Sequence, residues 1–340
     1  MTQDRVVTIH DVANRAGVAV SSVSRVLSNH PDVSDAMRAK VERAVRELGY
    51  QPDPVAQGLR SGTTRAVGLI VRDYSTPFFA EVITGIESVL SIADYTLLVT
   101  SSGRDISQEV ERIRMLRQRR VDAILLATVS DKSMATRKAI KSFGRPVVLL
   151  DREFNRLSTG RVLLDHASGV KAATKDLLSL GHRRIAFITG TQDIRPTRER
   201  LRGFMEAFEE AGIDSSSATM IAQVFSASFA RSQTIELLSD NRSIRPTALI
   251  AGGVQTTSGI LEALDELSML PGRDVSLVVC DDLPWLRVSR PSISVVTRDP
   301  FEMGSVSATM VLEMLAGAPA HTVTLPTEYA ARDSTQPLFS

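Results

Sequence analysis

The sequence of 340 residues is 43% hydrophobic and 23% charged, which is the composition of an ordinary globular protein with two or three domains. Its single cysteine, Cys280, excludes an intrachain disulfide and a cysteine-based zinc site and favours a reducing compartment. The net charge is +1, and residues 1–65 carry nine basic against seven acidic side chains, an excess too small to establish a nucleic-acid partner.

The beginning of the sequence lacks the apolar core of a signal peptide. Apolar runs such as Val121–Val129 are shorter than the ~18–20 residues that cross a bilayer. We therefore expect a cytoplasmic protein without a membrane partner.

The first 50 residues predict three helices. Thr8, followed by Asp11 three residues later, resembles a capping box that opens the first helix. Gly17 separates the first helix from the second, and Ser34 caps a third helix that ends at Gly49.

The first two of these helices have the pattern of a helix-turn-helix. Ala13 is small enough for two helices to cross closely, and Gly17 suits a tight turn with positive φ. Val18, Val23 and Val26 would lock the second helix against the first. The pattern favours DNA binding, although any hairpin of two helices could produce it.

Pro52, Pro54, Gly58 and Gly62 mark a linker. Beyond it, short runs that are apolar on both faces alternate with helical patterns, which indicates parallel sheets covered on both sides. The number of runs favours two α/β lobes with a ligand cleft between them. The predicted strands are Ala66–Val71, Tyr95–Thr100, Val121–Ala127, Pro146–Leu150, Arg161–Leu164, Arg184–Thr189, Thr247–Ala251, Val275–Val279 and Ile293–Val296.

The stretch TIHDVANRAGVAVSSVSRVLSNHPDVSDAMRAKVERAVRELGYQPDPVAQGL resembles the DNA-binding head and hinge of the LacI/GalR (lactose-repressor) family. The later stretches VGLIVRDYSTPFFAEVITGIE, GRPVVLLDRE, LGHRRIAFITG and VVTRDPFEMG resemble its body, in family order. The resemblance implies an all-α helix-turn-helix domain over 1–50 and a hinge over 51–64. Residues 65–340 would form a two-lobed α/β effector-binding and dimerisation domain of the periplasmic-binding-protein-like (type I) fold.

By this resemblance, Val20 and Ser21 would face base edges in the major groove, and Arg25 would donate to a guanine. Leu59, with Ala56 beside it, would enter the minor groove and unstack a base step, or Leu59 could be an ordinary linker residue. Contacts to DNA phosphates would come from Thr8, His10, Ser22, Asn29 and Ser34. Thr8 and Ser34 could also serve only as helix caps.

Two positions depart from the family pattern in the DNA-binding region. Ala19 stands where the family usually has a serine before the recognition helix, so an N-cap oxygen is lost at a cost on the order of 1 kcal/mol. Gly58 in the hinge disfavours a helix by ~1 kcal/mol relative to alanine. The first departure predicts a second helix that is less firmly ordered without DNA. The second predicts an operator affinity that depends more strongly on the pairing of two hinges in a dimer.

The resemblance also implies an effector site in the interlobe cleft, formed by Asp73, Phe79, Asp151, Arg200, Phe225 and Asp281. These side chains suit a polyhydroxylated ligand, because carboxylates and a guanidinium bind hydroxyl groups and aromatic faces pack on sugar rings. Most relatives have Asn-Asp where this chain has Gly253-Val254. Either the ligand is not a standard free sugar or the cleft is degenerate, and Trp285 could supply an aromatic wall.

The sequence contains none of the phosphate-binding, nucleophile-elbow or zinc-protease motifs of the common α/β enzymes, so an enzyme is a poor interpretation. A solute-binding protein would leave the N-terminal helices unexplained. We expect a transcriptional regulator, most simply a repressor, that needs no cofactor or metal. It would bind a near-palindromic operator as a homodimer, because the C-terminus lacks the leucine heptads of tetrameric relatives, and a small molecule would modulate its affinity with a sign that the sequence does not specify.

Overall fold

The computed structural model describes residues 7–28, 30–51, 62–74, 76–239 and 244–338. The chain forms two compact units, Met1–Arg65 and Ala66–Ser340, which we call the head and the body. In the described ranges, every helix is too short or too polar to traverse a bilayer. Nor do those residues gather three or more His, Cys, Asp or Glu side chains in an arrangement that could hold a metal ion.

The head consists of α1 (Ile9–Ala16), α2 (Val20–Leu27) and α3 (Asp35–Leu48), as predicted. Each helix contributes two small or branched apolar side chains to one core, because these residues recur at helical spacing on one face. The buried members are Val12, Ala13, Val23, Val26, Val41 and Ala44.

The first lobe of the body is built on a parallel sheet with strands β1 (Ala66–Val71), β2 (Thr96–Ser101), β3 (Ala123–Leu126), β4 (Val147–Leu150), β5 (Gly160–Leu164) and β11 (Thr322–Leu325). The order within the described residues is β11-β5-β4-β3-β1-β2. Its helices are α4 (Pro77–Leu90), α5 (Ile106–Gln118), α6 (Met134–Phe143) and α12 (Pro300–Leu315).

The second lobe is built on a sheet with strands β6 (Ile185–Thr189), β7 (Thr219–Ala222), β8 (Ala248–Ala251), β9 (Ser276–Cys280), β10 (Ser294–Thr297) and β12 (Glu328–Ala330). The described order is β12-β10-β9-β8-β6-β7, and β12 alone of these runs antiparallel to its neighbour. Its helices are α7 (His166–Ser179), α8 (Arg195–Glu210), α9 (Ala227–Ser239), α10 (Val254–Glu266) and α11 (Pro284–Val288).

Both sheets are buried on both faces, which confirms the interpretation of the apolar runs. Successive residues of one strand belong to different cores: Leu69 packs under α4 and α12, whereas Ile70 packs under α5 and α6. In the second lobe, the successive residues Phe187 and Ile188 likewise belong to two different cores. Burial of each such side chain contributes roughly 1.5–3 kcal/mol.

Every predicted strand overlaps an observed strand, but β7, β11 and β12 are not among the predicted strands. All three are short, lie at sheet edges and are partly exposed. Edge strands cover little of the core and therefore carry a weaker apolar pattern than central strands, although the fourth edge strand, β2, is predicted. Because β11 returns to the first sheet and β12 to the second, the chain crosses between the lobes three times.

Candidate functional site

The first two helices of the head form a helix-turn-helix. The hydroxyl oxygen of Thr8 accepts a hydrogen bond from the Asp11 amide at 3.4 Å, and the Thr8 amide donates to the Asp11 carboxylate at 2.9 Å. Gly17 closes the turn in the left-handed conformation with φ of 66°. Val23 and Val26 of α2 are buried in the head core, so the predicted pairing of the two helices is confirmed.

Two of the predicted base-contacting side chains lie on the exposed surface of α2. Ser21 and Arg25 are both exposed, while Val20 is half-buried against the head core. A hydroxyl and a guanidinium on one short helix are the groups that donate hydrogen bonds to base edges in a major groove.

The described residues predicted to contact phosphates lie on or at the ends of the three head helices. Thr8 and His10 are exposed on the first turn of α1, and Ser22 is half-buried on α2. Ser34 caps α3, because its hydroxyl oxygen accepts from the Met37 amide at 3.3 Å. Thr8 and Ser34 therefore stabilise helix ends, whatever else they contact. Three candidates lie outside the described residues: Asn29, Ala56 and Leu59.

A cavity of about 60 Å³ lies between the two lobes of the body, at the carboxyl ends of strands from both sheets. Five of the seven predicted effector residues line it: Phe79, Asp151, Arg200, Phe225 and Asp281. Asp73 does not line it and instead accepts a hydrogen bond from Nε of Arg104 at 2.8 Å. Trp285 also lies outside the cavity lining, on α11, with 46% of its surface exposed.

The sequence prediction missed three arginines that line the same cavity: Arg72, Arg152 and Arg298. Arg72 directly follows β1, Arg298 directly follows β10, and Arg152 lies two residues after β4. An arginine at the carboxyl end of a predicted parallel strand is the signal that could have identified them, because these ends form the cleft.

Several charged groups of the cavity are held by specific contacts. Nη2 of Arg298 lies 2.5 Å from the carboxylate of Asp281, and its guanidinium carbon lies 3.7 Å from the centroid of the Phe78 ring. Nη1 of Arg200 donates to the carbonyl oxygen of Gly252 at 2.7 Å. These contacts among the described residues therefore fix the orientations of the Arg298, Asp281 and Arg200 side chains.

Asp151 forms a buried pair with His166. Its Oδ2 atom lies 2.7 Å from Nε2 of His166, and its Oδ1 accepts from the Leu164 amide at 3.3 Å. Burial lowers the pKa of His166 to about 4 against the opposing effect of Asp151. Burial alone would raise the pKa of Asp151, but His166 and Arg152 hold it well below its usual range. At neutral pH a neutral imidazole therefore donates to an ionised carboxylate.

The departure at Gly253 has a packing explanation. A Cβ atom on Gly253 would lie 2.4 Å from Cζ of the Phe225 ring, and the Gly253 φ is 149°. The absence of a side chain at this position therefore gives the Phe225 ring its place beside the cavity. An asparagine here would have to displace Phe225, so the aromatic ring and the family's amide are alternatives at this point of the cleft.

Hydrogen bonds join the lobes on both sides of the cavity. On one side, Nη1 of Arg104 donates to the carbonyl of Phe225 at 3.0 Å and to the side chain of Gln255 at 2.9 Å. On the other side, the carboxylate of Asp131 accepts from the Arg195 amide at 2.5 Å and from Nη2 of Arg198 at 3.0 Å. In this structure the two lobes are therefore close enough to form direct hydrogen bonds with each other.

Known proteins resemble this chain along most of its length. The ribose operon repressor of Haemophilus influenzae is 30% identical over 308 residues, which cover 91% of this chain and 92% of that protein. A solved structure of the lac repressor dimer bound to operator and the anti-inducer ONPF is 25% identical with a TM-score of 0.83, covering 98% of this chain and 100% of that one. A LacI family transcriptional regulator from Enterococcus faecium with bound ribose is 25% identical with a TM-score of 0.71, covering 81% and 100%.

A helix-turn-helix on the same chain as a two-lobed body with a charged interlobe cavity defines a DNA-binding transcriptional regulator with its own ligand-binding domain. The model of bacterial regulatory proteins of the lacI family matches residues 8–53, and that of the periplasmic binding protein-like domain matches residues 174–335. The chain belongs to the LacI family of bacterial regulatory proteins, as the sequence motifs predicted.

Proposed function

We propose that this LacI-family protein represses transcription in the cytoplasm by binding a near-palindromic operator as a homodimer, and that a small molecule in the interlobe cavity sets its operator affinity. The observation that carries the DNA-binding part is the exposure of Ser21 and Arg25 on the second helix of the helix-turn-helix. Two copies of such a head would contact two half-sites, and the symmetry of the operator would follow that of the dimer.

The position of the cavity supports ligand control. Its lining comes from both lobes, so a ligand bound there contacts both and favours one arrangement of the lobes over another. A change in that arrangement would alter the spacing of the two hinges in a dimer. The change in operator affinity cannot exceed the difference in ligand affinity between the two arrangements. Ala56 and Leu59 stay the predicted minor-groove contacts of the hinge.

Selection of genomic DNA fragments by the purified full-length protein tests this proposal. The selection is run at physiological salt, because phosphate contacts make affinity strongly salt-dependent, with and without a small-molecule extract of the host cells. We expect enrichment of fragments that share a near-palindrome with a deformable central step in at least one of the two conditions.

Fragments retained without any shared sequence in both conditions would contradict the proposal. Enrichment of a single half-site would contradict the homodimer while leaving the recognition helix intact. Sedimentation of the protein with and without a synthetic operator would then give the number of copies on the DNA.

A further inference from the structure

Positive charge predominates in the interlobe cavity. Its lining includes two aspartates, Asp151 and Asp281, against four arginines: Arg72, Arg152, Arg200 and Arg298. Arg72 and Arg152 follow strands of the first lobe, whereas Arg200 lies on α8 of the second lobe and Arg298 follows β10. Cations from both lobes therefore face one small space, where charges interact more strongly than in water.

Contacts within the protein satisfy two of these four arginines more fully than the others. Arg298 is paired with Asp281, and Arg152 donates to the carbonyls of Thr128 and Asp151 at 3.0 and 2.7 Å. Arg152 is also attracted by the negative charges of Asp151, Asp131 and Glu109. Both guanidinium groups thus have negative charge close by.

Arg72 and Arg200 differ from that pair, because among the described residues neither has a carboxylate within ion-pair distance. The exposed fraction of Arg200 is 5%, and within the described residues its guanidinium has one hydrogen bond, to the carbonyl of Gly252. The Nε atoms of Arg72 and Arg200, like that of Arg298, are buried without a hydrogen-bond partner in the described part of the chain, but only Arg298 has a carboxylate beside it. A buried donor without a partner costs roughly 1–3 kcal/mol, and more when it is charged.

The surroundings of Arg72 are themselves positive. Burial, followed by the charges of Arg152, Arg104 and Arg298, lowers the pKa of Arg72 to about 9, whereas the charge of Asp73 opposes this. Arg72 therefore stays protonated at neutral pH but is held in an unfavourable field. A negative charge beside it would relieve both the repulsion and the missing hydrogen bond.

The Phe225 ring lies near Arg72 and next to the main-chain segment that binds Arg200. The guanidinium carbon of Arg72 lies 6.0 Å from the centroid of the Phe225 ring. The tip of the same ring packs on Gly253, whose neighbour Gly252 accepts the hydrogen bond of Arg200. Phe225 therefore lies beside Arg72 and packs on the glycine that follows the carbonyl bound by Arg200.

We propose that the effector of this regulator is an anion, and that its carboxylate or phosphate group is bound by Arg72 of the first lobe and Arg200 of the second. This inference rests on the proposed ligand control of the regulator and specifies the class of ligand. A planar guanidinium presents paired N–H donors that match both anions. An anion held by both lobes favours the arrangement in which they are close together.

The test measures thermal unfolding of the full-length protein with three related probes: ribose, ribonate and ribose 5-phosphate, each at constant ionic strength. We expect at least one anionic probe to raise the unfolding temperature of the body more than ribose does. At a ligand concentration about 100 times its Kd, the shift should be roughly 5–10 °C. A larger shift with ribonate identifies a carboxylate ligand, and a larger shift with ribose 5-phosphate identifies a phosphate.

The variant Arg72→Gln should lose most of the anion-induced shift, whereas the matched control Arg119→Gln, at an exposed position on the surface of the first lobe, should keep it. Without any probe, Arg72→Gln should unfold roughly 2 °C above the wild type, because it removes an unpaired cation from positive surroundings. A residue with only a structural role would lower the unfolding temperature instead.

Equal shifts with ribose and both anions, equal anion shifts in the wild type and Arg72→Gln, or no shift with any probe would overturn the inference. Selection of operator DNA needs none of these probes. A protein that selects an operator but fails the anion test therefore contradicts the ligand class alone, and the proposed DNA-binding function stands.

Discussion

Arg25 is the residue whose surroundings leave it most clearly available to a base. It is exposed on α2, and the buried Val23 and Val26 on the same helix fix the direction in which the side chain points. The guanidinium can offer two parallel donors to the O6 and N7 atoms of guanine.

Arg25→Ala should weaken binding to the selected operator by about 1–3 kcal/mol and relax the preference at one base pair of each half-site. Titration of operators that carry each substitution of that base pair would measure both effects. The matched control is Arg43→Ala, which removes the same charge from an exposed position on α3 and should leave base preference unchanged. Full base preference in Arg25→Ala would show that another side chain reads the operator.

The buried pair of His166 and Asp151 makes the stability of the body depend on pH. The pKa of His166 is about 4 in the folded chain and about 6.5 in an unfolded one. Between these values the unfolded state binds the proton and the folded state does not, so stability falls as pH decreases from 6.5 towards 4.

This single histidine should lower the free energy of unfolding of the body by about 2 kcal/mol between pH 7 and pH 5. His166→Gln, whose amide can still donate to Asp151, should lose that part of the pH dependence in denaturant titrations at the two values. His321→Gln, at an exposed position, serves as the control and should keep it. An unchanged pH dependence in His166→Gln would mean that His166 binds protons equally in the folded and unfolded states.

At the scale of secondary-structure elements, α2 is the least well capped of the head helices. The N-cap residue Ala19 has extended backbone angles, φ −68° and ψ 150°, and makes no side-chain hydrogen bond. Thr8 and Ser34 do cap the other two helices. The backbone of Ala19 therefore has the geometry of an N-cap residue, and only a side-chain oxygen that could accept a hydrogen bond is missing.

Ala19→Ser should stabilise α2 by about 1 kcal/mol, which would slow amide hydrogen exchange within this helix roughly fivefold in the absence of DNA. Ala39→Ser provides the opposite case, because this exposed position lies inside α3, where serine is a poorer helix former than alanine. If both variants protected α2 equally, capping would not be the cause.

The elements also differ in how much of them the sequence could predict. The central strands are continuous buried apolar runs, and the head helices repeat buried apolar residues at helical spacing, so these patterns predict both. β7, β11 and β12 are partly exposed edge strands of three or four residues, and their short mixture of polar and apolar residues cannot be distinguished from that of a loop.

The same limit applies to the cavity. The motifs predicted Phe79, Asp151, Arg200, Phe225 and Asp281, all of which line it. They did not predict the cluster formed by Arg72, Arg152 and Arg298, because the convergence of charges depends on which strand ends are adjacent across two sheets. Asp73 belongs to the correct loop, but its carboxylate is directed to Arg104, a contact between residues 31 positions apart that no local pattern contains.

At the scale of the whole body, the contacts across the cavity determine how readily the lobes separate. Arg104 of the first lobe bonds to Phe225 and Gln255 of the second, and Asp73 orients its guanidinium. Asp131 is bonded across the other side. The first lobe's Asp73 thus supports lobe closure from outside the cavity.

Arg104→Ala should shift the equilibrium between closed and open lobes towards the open form by about fivefold, since hydrogen bonds from a partly exposed cation contribute about 1 kcal/mol. Spin labels on Ser142→Cys of α6 and Ser232→Cys of α9, both exposed, would report the distance between the lobes. The native Cys280 is buried, and burial raises the pKa of its thiol to about 11, so it should remain unlabelled.

The control Arg145→Ala removes an ion pair of 2.7 Å with Asp122 inside the first lobe and should leave the distance between the lobes unchanged. A distribution that is identical in Arg104→Ala and the wild type would show that the bonds of Arg104 follow lobe closure and do not maintain it.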